Sequence, residues 1–365
     1  MHLVIITKTL PPGNCGIADH SILLAQAIAE KGHVVSLIAG DGAEASGVSI
    51  VKEFWREPGM RSLEQILTNL RPDHVLLQYT PLMFSVDRWY QNPHLMEFWS
   101  RCGRLWPTSL ILHESYFRAW WHPSSLLKGA MEKVQMKRLA SGSCCVFTAS
   151  EPLLQEIDHW SGNFQRKLLP IGSNLPCDSI RRAQQRTQVG VNDSEMVLTL
   201  FGGGVSLLKR NRYVEAVDAV MKKNRVPVRW LLLGGVKPEW FSLSSPVLAP
   251  GFLPPNELSA YLQIADVFLM PHISGLSAKR GTLIAALQHG LPVVGTEGPM
   301  TDRFWRDAPG VVLTPMPGKN QFADAVYDLT ASEEWRASLG QQNRRLFEER
   351  FTWPGIAGTL LETLS

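Results

Sequence analysis

The sequence predicts an α/β protein made of two Rossmann-like, doubly wound domains. Three observations lead there. Short runs such as HLVIIT (2–7), HVLLQY (74–79), TSLILHE (108–114), MVLTLFGGG (196–204) and VRWLLLGG (228–235) are apolar almost throughout, as parallel strands covered on both faces must be. Each run is followed by a loop and then by a helical pattern, the strand–loop–helix–strand rhythm of a doubly wound sheet. The rhythm stops at KLLPIGSNLPCDS (167–179), rich in Pro, Gly and Ser, and then restarts, and 365 residues suit two domains of ordinary size.

In the first half, the strand 2–7 leads through the loop PPGNCG into the helix IADHSILLAQAIAEKGH, whose Ile17, Leu24, Ala27 and Ile28 share one face and which Gly32 ends. The loop is not GxGxxG, so no dinucleotide fingerprint is present. Gly16 would allow backbone to approach a ligand. Asp19, in the first helical turn, could hold a hydroxyl or simply match the helix dipole. VVSLIAG is the next strand, SLEQILTNLRP a helix, HVLLQY a strand, and a helix near 93–103 precedes TSLILHE. That strand carries His113 and Glu114 at its carboxyl end, where ligands of such sheets bind; a structural histidine is the alternative. Residues 116–138 mix aromatics and leucines with Lys128, Lys133, Lys137 and Arg138, a pattern that suits either a membrane-surface helix or a partly solvated helix with one buried side. CCVFTAS is a strand and EPLLQEI a helix.

In the second half, MVLTLFGGG runs into a glycine loop, and helix is expected from about Asn211. VRWLLLGG follows, then a short strand at 247–249, a turn and a helix. VFLMP (267–271) is a strand stopped by proline, HISGLSAKRG reads as a polar loop, TLIAALQHG as a short helix from Thr282 to Gly290, and LPVVGT as the next strand. Lys279, Arg280, Gly281 and Thr282 thus stand at a helix N-terminus, where free N–H groups, the dipole and two cations could seat a diphosphate. An ordinary βα turn with solvated basic residues is the plainer alternative. Glu297-Gly298-Pro299 reads as a turn, Thr301 and Asp302 as the opening of a helix, and 320–350 as helical.

Net charge is +3, too small for a nucleic-acid footprint. The five cysteines show no CxxC or paired-histidine spacing and read as buried thiols of a reducing compartment rather than a zinc site or a disulfide framework. The amino terminus has no signal-peptide pattern, and no apolar run reaches membrane-spanning length. The expected location is cytoplasmic, with the inner face of a membrane as an alternative.

The stretch 267–296 resembles the donor-binding segment of retaining, nucleotide-sugar-dependent GT-B glycosyltransferases of family 4. Ala286, Gly290, Pro292, Val293 and Val294 fall on the family pattern, whereas Ser277 and Ala285 replace its two acids. The resemblance implies the GT-B fold: an acceptor-side domain 1–175, a donor-side domain 176–349, and a terminal helix 350–365 that crosses back to the first. It implies donor contacts from Gly16, Gly203, Gly204, Lys209, Phe252, Leu253, Gly275, Ser277, Lys279, Arg280, Gly281 and Thr282. It implies acceptor contacts from Asp19, His113 and Glu114, and catalytic roles for His113, Lys209 and Arg280. Lys209 matches the family lysine that touches the diphosphate. Gly204 replaces the accompanying arginine, for which Arg210 or Arg212 could substitute.

The activity implied is hexose transfer, first of all from UDP-glucose, to a hydroxyl of a glycan or lipid-linked acceptor, in exopolysaccharide or cell-envelope polysaccharide synthesis. No cofactor, metal or nucleic acid is called for, and peripheral membrane contact is allowed. Two other readings remain open: a sugar-nucleotide epimerase of the same fold, which needs carboxylates the 275–285 loop lacks, and a non-catalytic sugar-nucleotide-binding partner of another transferase.

Overall fold

The computed structural model describes residues 1–11, 15–43, 46–81, 83–86, 91–115, 123–177, 182–203 and 211–365. Lys209, Gly204 and Arg210 lie outside the described residues, as does the 116–122 part of the basic amphipathic stretch. The chain divides into two compact units, residues 1–171 with 353–365, and residues 172–352.

Unit 1 holds a seven-stranded, wholly parallel sheet. Its strands are β1 (His2–Thr7), β2 (Val34–Ala39), β3 (Val48–Ile50), β4 (His74–Tyr79), β5 (Thr108–Leu112), β6 (Cys145–Thr148) and β7 (Gln165–Leu168), in the order β3-β2-β1-β4-β5-β6-β7. Its helices are α1 (Gly16–Glu30), α2 (Arg61–Leu70), α3 (Pro93–Leu105), α4 (Pro123–Ser141) and α5 (Glu151–Asp158), joined by α12 (Trp353–Leu364) from the far end of the sequence. Leu3, Val4, Ile5 and Ile6 are all 0% exposed, which fits a strand covered on both faces. Burial of this kind is worth roughly 1.5–3 kcal/mol per large side chain. On one face Ile5 and Leu76 pack in a cluster with Leu24 and Ile28 of α1 and Ile356 and Leu360 of α12. On the other, Val4 and Leu77 pack with Phe98 and Trp99 of α3.

Unit 2 holds a six-stranded parallel sheet. Its strands are β8 (Met196–Gly202), β9 (Val228–Gly234), β10 (Val247–Gly251), β11 (Val267–Met270), β12 (Val293–Thr296) and β13 (Val311–Thr314), in the order β10-β9-β8-β11-β12-β13. Its helices are α6 (Arg182–Gln188), α7 (Asn211–Lys223), α8 (Pro255–Gln263), α9 (Gly281–Gln288), α10 (Lys319–Thr330) and α11 (Glu333–Arg350). Among the described residues no helix is long and apolar enough to cross a membrane.

Four sequence expectations need adjustment. The stretch 320–350 is two helices, because Ser332 caps the second by accepting the Trp335 N–H. β10 runs to Gly251 rather than ending at 249. α9 begins one residue early, at Gly281. Thr301 and Asp302 do not open an α-helix; a short 3-10 turn, Arg303–Arg306, follows them, and Asp302 turns inward for the reason given below.

Candidate functional site

In both sheets the strand order reverses beside the first strand, between β1 and β4 and between β8 and β11. Connections leave in opposite directions there, which opens a crevice at the carboxyl ends of the strands.

In unit 2 the crevice is flanked by the end of β8 and by the loop after β11. β8 ends in Gly202, at φ 151°, and the exposed Gly203, whose Cβ position meets no atom of the described residues within 4 Å. The Gly235 N–H donates to the Gly202 carbonyl at 2.8 Å. A Cβ on Gly235 would stand 3.3 Å from the Gly203 Cα and 3.4 Å from Phe252 Cζ. The ends of β8, β9 and β10 therefore converge around small residues, with the Phe252 ring, 81% exposed, at their margin. Leu253 is half-buried beside it.

The loop after β11 is not the solvated polar loop its composition suggests. Leu276, Ser277 and Ala278 are buried, and the segment is stitched to the chain that follows β12. Leu276 N–H donates to the Thr296 carbonyl at 3.2 Å, Met300 N–H to the Ser274 carbonyl at 2.8 Å, and Asp302 N–H to the Leu276 carbonyl at 3.2 Å. The Thr296 hydroxyl donates to the His272 carbonyl at 2.7 Å. The fully buried Asp302 carboxylate accepts the Ala278 N–H at 2.6 Å, which explains why Asp302 faces inward. Gly275 sits at φ 88°, where a Cβ would fall 2.0 Å from Thr301 Oγ1. Only glycine fits that position, on backbone and on space alike.

This loop delivers its last residues to the start of α9. Lys279, Arg280, Gly281 and Thr282 are half-buried there, and the first N–H groups of the helix have no intrahelical acceptor. Arg280 Nη2 lies 3.1 Å from His272 Nδ1 and donates to Ser274 Oγ at 3.1 Å. A guanidinium only donates, so His272 Nδ1 is an acceptor and the ring carries its proton on Nε2. Ser277 is 0% exposed, and its hydroxyl has no hydrogen-bond partner among the described residues. The structure thus brings Ser277, Lys279, Arg280, Gly281 and Thr282 together at one helix N-terminus. It sets Gly203 and Phe252 at the neighbouring strand ends. Arg212 is exposed in the first turn of α7.

In unit 1 the corresponding edge holds His113, just past β5. Its Nε2 lies 2.5 Å from Gln78 Oε1, and Gln78 Nε2 is 3.3 Å from Nδ1 of the buried His20. The two imidazoles meet edge-on at 5.0 Å, and His20 meets the Trp353 ring edge-on at 5.2 Å. Burial pushes His113 down to about 4. Burial, with the His113 charge second, holds His20 well below its ordinary value. Both rings are neutral at pH 7, able to bind and orient without carrying charge. Glu114 is exposed, Asp19 is half-buried in the first turn of α1, and Gly16, which opens that helix, has no atom of the described residues within 4 Å of its Cβ position.

Sequence reasoning passed over His20, Gln78 and Asp302. The signal for His20 was its place three residues after Ile17 and four before Leu24, on the buried stripe of α1. Gln78 is the lone uncharged polar residue inside the apolar run of β4. Asp302 read only as the opening of a helix, because its hold on the Ala278 N–H is a contact with backbone distant in sequence.

Residues 209–332 match the family model described as glycosyl transferases group 1. The glycosyltransferase WcaL of Escherichia coli K12, named for colanic acid biosynthesis, is 26% identical over 170 residues, 41% of this chain and 40% of that protein. The chain therefore matches less than half the length of this curated relative. Sucrose-phosphate synthase from Thermosynechococcus elongatus superposes with a TM-score of 0.73 at 17% identity, over 100% of this chain and 99% of that one. Alr3699/HepE of Anabaena, solved in complex with UDP and glucose, gives 0.69 at 14% identity, over 100% and 99%. Two parallel α/β sheets and the matches to solved structures give the chain the GT-B fold, and within unit 2 residues 209–332 carry the likeness to the group 1 glycosyltransferases.

Proposed function

We propose that the chain is a retaining hexosyltransferase. It takes a UDP-sugar, UDP-glucose first, and passes the hexose to a hydroxyl of a glycan or lipid-linked acceptor of envelope or exopolysaccharide synthesis. The observation that carries this is the start of α9, where Lys279 and Arg280 stand at a helix N-terminus presented by a loop fixed by Asp302. Fixed cations and unspent N–H groups stabilise charge that develops on a leaving diphosphate without reorganising during the reaction. Lys209, outside the described residues, would add a further cation by the family pattern. Phe252 and Leu253 at the strand ends suit the nucleoside, and His113 in unit 1 suits a sugar or acceptor hydroxyl, with Asp19 and Glu114 near the same sheet edge. In retaining transfer the departing phosphate oxygen can itself take the acceptor proton, so no protein nucleophile is demanded and Ser277 in place of an acid is tolerable. The bilayer surface is a plausible place of work, since Leu126, Leu127 and Val134 of α4 are about half exposed beside Lys137 and Arg138.

A thermal-shift panel of nucleotide sugars identifies the donor, because a ligand that binds only the folded state raises its stability by mass action. Product analysis then separates transfer (free UDP and a glycosylated acceptor) from epimerisation and from binding without turnover. Arg280→Ala should cost about 2–4 kcal/mol of transition-state stabilisation, read as kcat/KM; wild-type turnover and UDP affinity in this variant would remove α9 from the site. Activity should persist in EDTA, because side-chain cations do the neutralising. Loss that manganese or magnesium restores would overturn that part of the reading.

A further inference from the structure

The buried polar group in unit 1 that the proposed reaction leaves unused is Gln78. It stands on β4 between two histidines from different elements, His20 of α1 and His113 past β5, and touches a ring nitrogen of each. A primary amide has one donating and one accepting end. Such a bridge cannot serve both rings in the same sense, so it dictates where each ring keeps its proton. The Gln78 carbonyl oxygen, 2.5 Å from His113 Nε2, requires an N–H there. The Gln78 amide N–H, 3.3 Å from His20 Nδ1, requires a lone pair there. Both rings then hold their proton on Nε2.

We propose that Gln78 is a positioning residue. It locks His113 as the Nε2–H tautomer, so that His113 Nδ1 is a neutral, fixed hydrogen-bond acceptor at the carboxyl edge of the sheet, available to a substrate hydroxyl. His20, edge-on to His113 and Trp353 at 5.0 and 5.2 Å, holds its ring in place at the other end of the amide. The depressed proton affinity of both rings agrees with this, since an imidazolium at His113 would lose its acceptor altogether. The inference rests on the reading of His113 as a ligand-facing residue, and it names what that residue can bind: an O–H donor, not an anion.

The first measurement needs no substrate. Long-range 1H–15N NMR of the histidine-labelled full chain distinguishes protonated from unprotonated ring nitrogens. We expect Nε2 protonated and Nδ1 unprotonated in both His20 and His113 near pH 7. A proton on His113 Nδ1 overturns the proposal whatever the enzyme transfers. The second measurement uses Gln78→Met, close in shape and unable to bridge. His113 should then exchange between tautomers, and kcat/KM for the donor identified by the thermal-shift panel should fall about five- to tenfold, the worth of one neutral hydrogen bond. A Gln78→Met chain that keeps both the wild-type tautomers and wild-type kinetics also overturns it. If no nucleotide sugar turns over with the wild-type chain, the transferase reading fails, while the NMR result still decides whether Gln78 sets the tautomers.

Discussion

Ser277 is a hydroxyl in a place that gives it nothing to bond. It is fully buried and has no partner among the described residues, which destabilises the fold by leaving a polar group desolvated. Such a group is tolerated where a ligand completes it. The two consequences have opposite signs. Ser277→Ala should leave the ligand-free chain as stable as wild type or more so, by up to about 1 kcal/mol. It should weaken donor binding by about 0.5–1.5 kcal/mol. Thermal unfolding without ligand and titration with the nucleotide sugar check the pair; a variant that loses stability and keeps its affinity would make Ser277 a structural residue. The same burial changes the expectation for Ser277→Glu. That side chain would place a carboxylate between Leu276 and Ala278 in the interior, so its first effect is on folding rather than competition for Lys279 and Arg280. At this scale the sequence was only partly legible. Ser277 stands out by aligning with a family acid, yet a run of Ser, Gly, Lys and Arg reads as solvated. Its burial comes from contacts with 296–302, which no local pattern reveals.

The loop between β11 and α9 depends on one distant carboxylate. Asp302 accepts the Ala278 N–H and donates its own N–H to Leu276. Asp302→Ala should lower the stability of unit 2 by about 1.5–3 kcal/mol, the worth of a hydrogen bond to a charged group. It should also raise amide exchange across 272–280 well before the sheet opens. Hydrogen-exchange mass spectrometry reads both, and unchanged protection of that peptide would show that the clamp does not depend on Asp302. Elements as such were legible. Apolar runs became parallel strands, and glycines ended helices, as Gly32 and Gly290 do at φ 84° and 64°. The misses were at joints: the Ser332 cap that divides 319–350, and the inward turn of Asp302, where a single side-chain bond outweighs helical propensity.

Among the described residues, imidazoles that burial holds neutral lie mainly in unit 1. Besides His20 and His113, His74 sits buried 2.9 Å from the Ser109 hydroxyl, and burial lowers it from 6.5 to about 4. The unfolded chain takes up protons at His74 and His113 near pH 6.5, whereas the folded chain resists until about 4, and His20 is shifted in the same direction. The stability they allow is therefore complete above pH 6.5 and is lost progressively as pH falls towards 4. In unit 2 His289 is also held low, chiefly by burial. Exchange measured between pH 7 and 4 should show unit 1 loosening first; equal loss in both units would refute the assignment. The doubly wound architecture was legible because alternation of strand and helix depends on composition along short windows. The neutral histidine group was not, because α1, β4 and the start of α12 meet only in the finished fold.

That α12 belongs to unit 1 also bears on synthesis. Residues 172–352 form a closed unit within one continuous stretch and can fold as soon as they clear the ribosome. The helix carrying Ile356 and Leu360, which covers Leu24 and Ile28, is made only after that stretch. Until it arrives, the nascent first unit presents an open apolar seam along α1. The earlier-translated half of this protein is therefore the later one to be completed, and it is the half on which a nascent-chain chaperone would have most to hold.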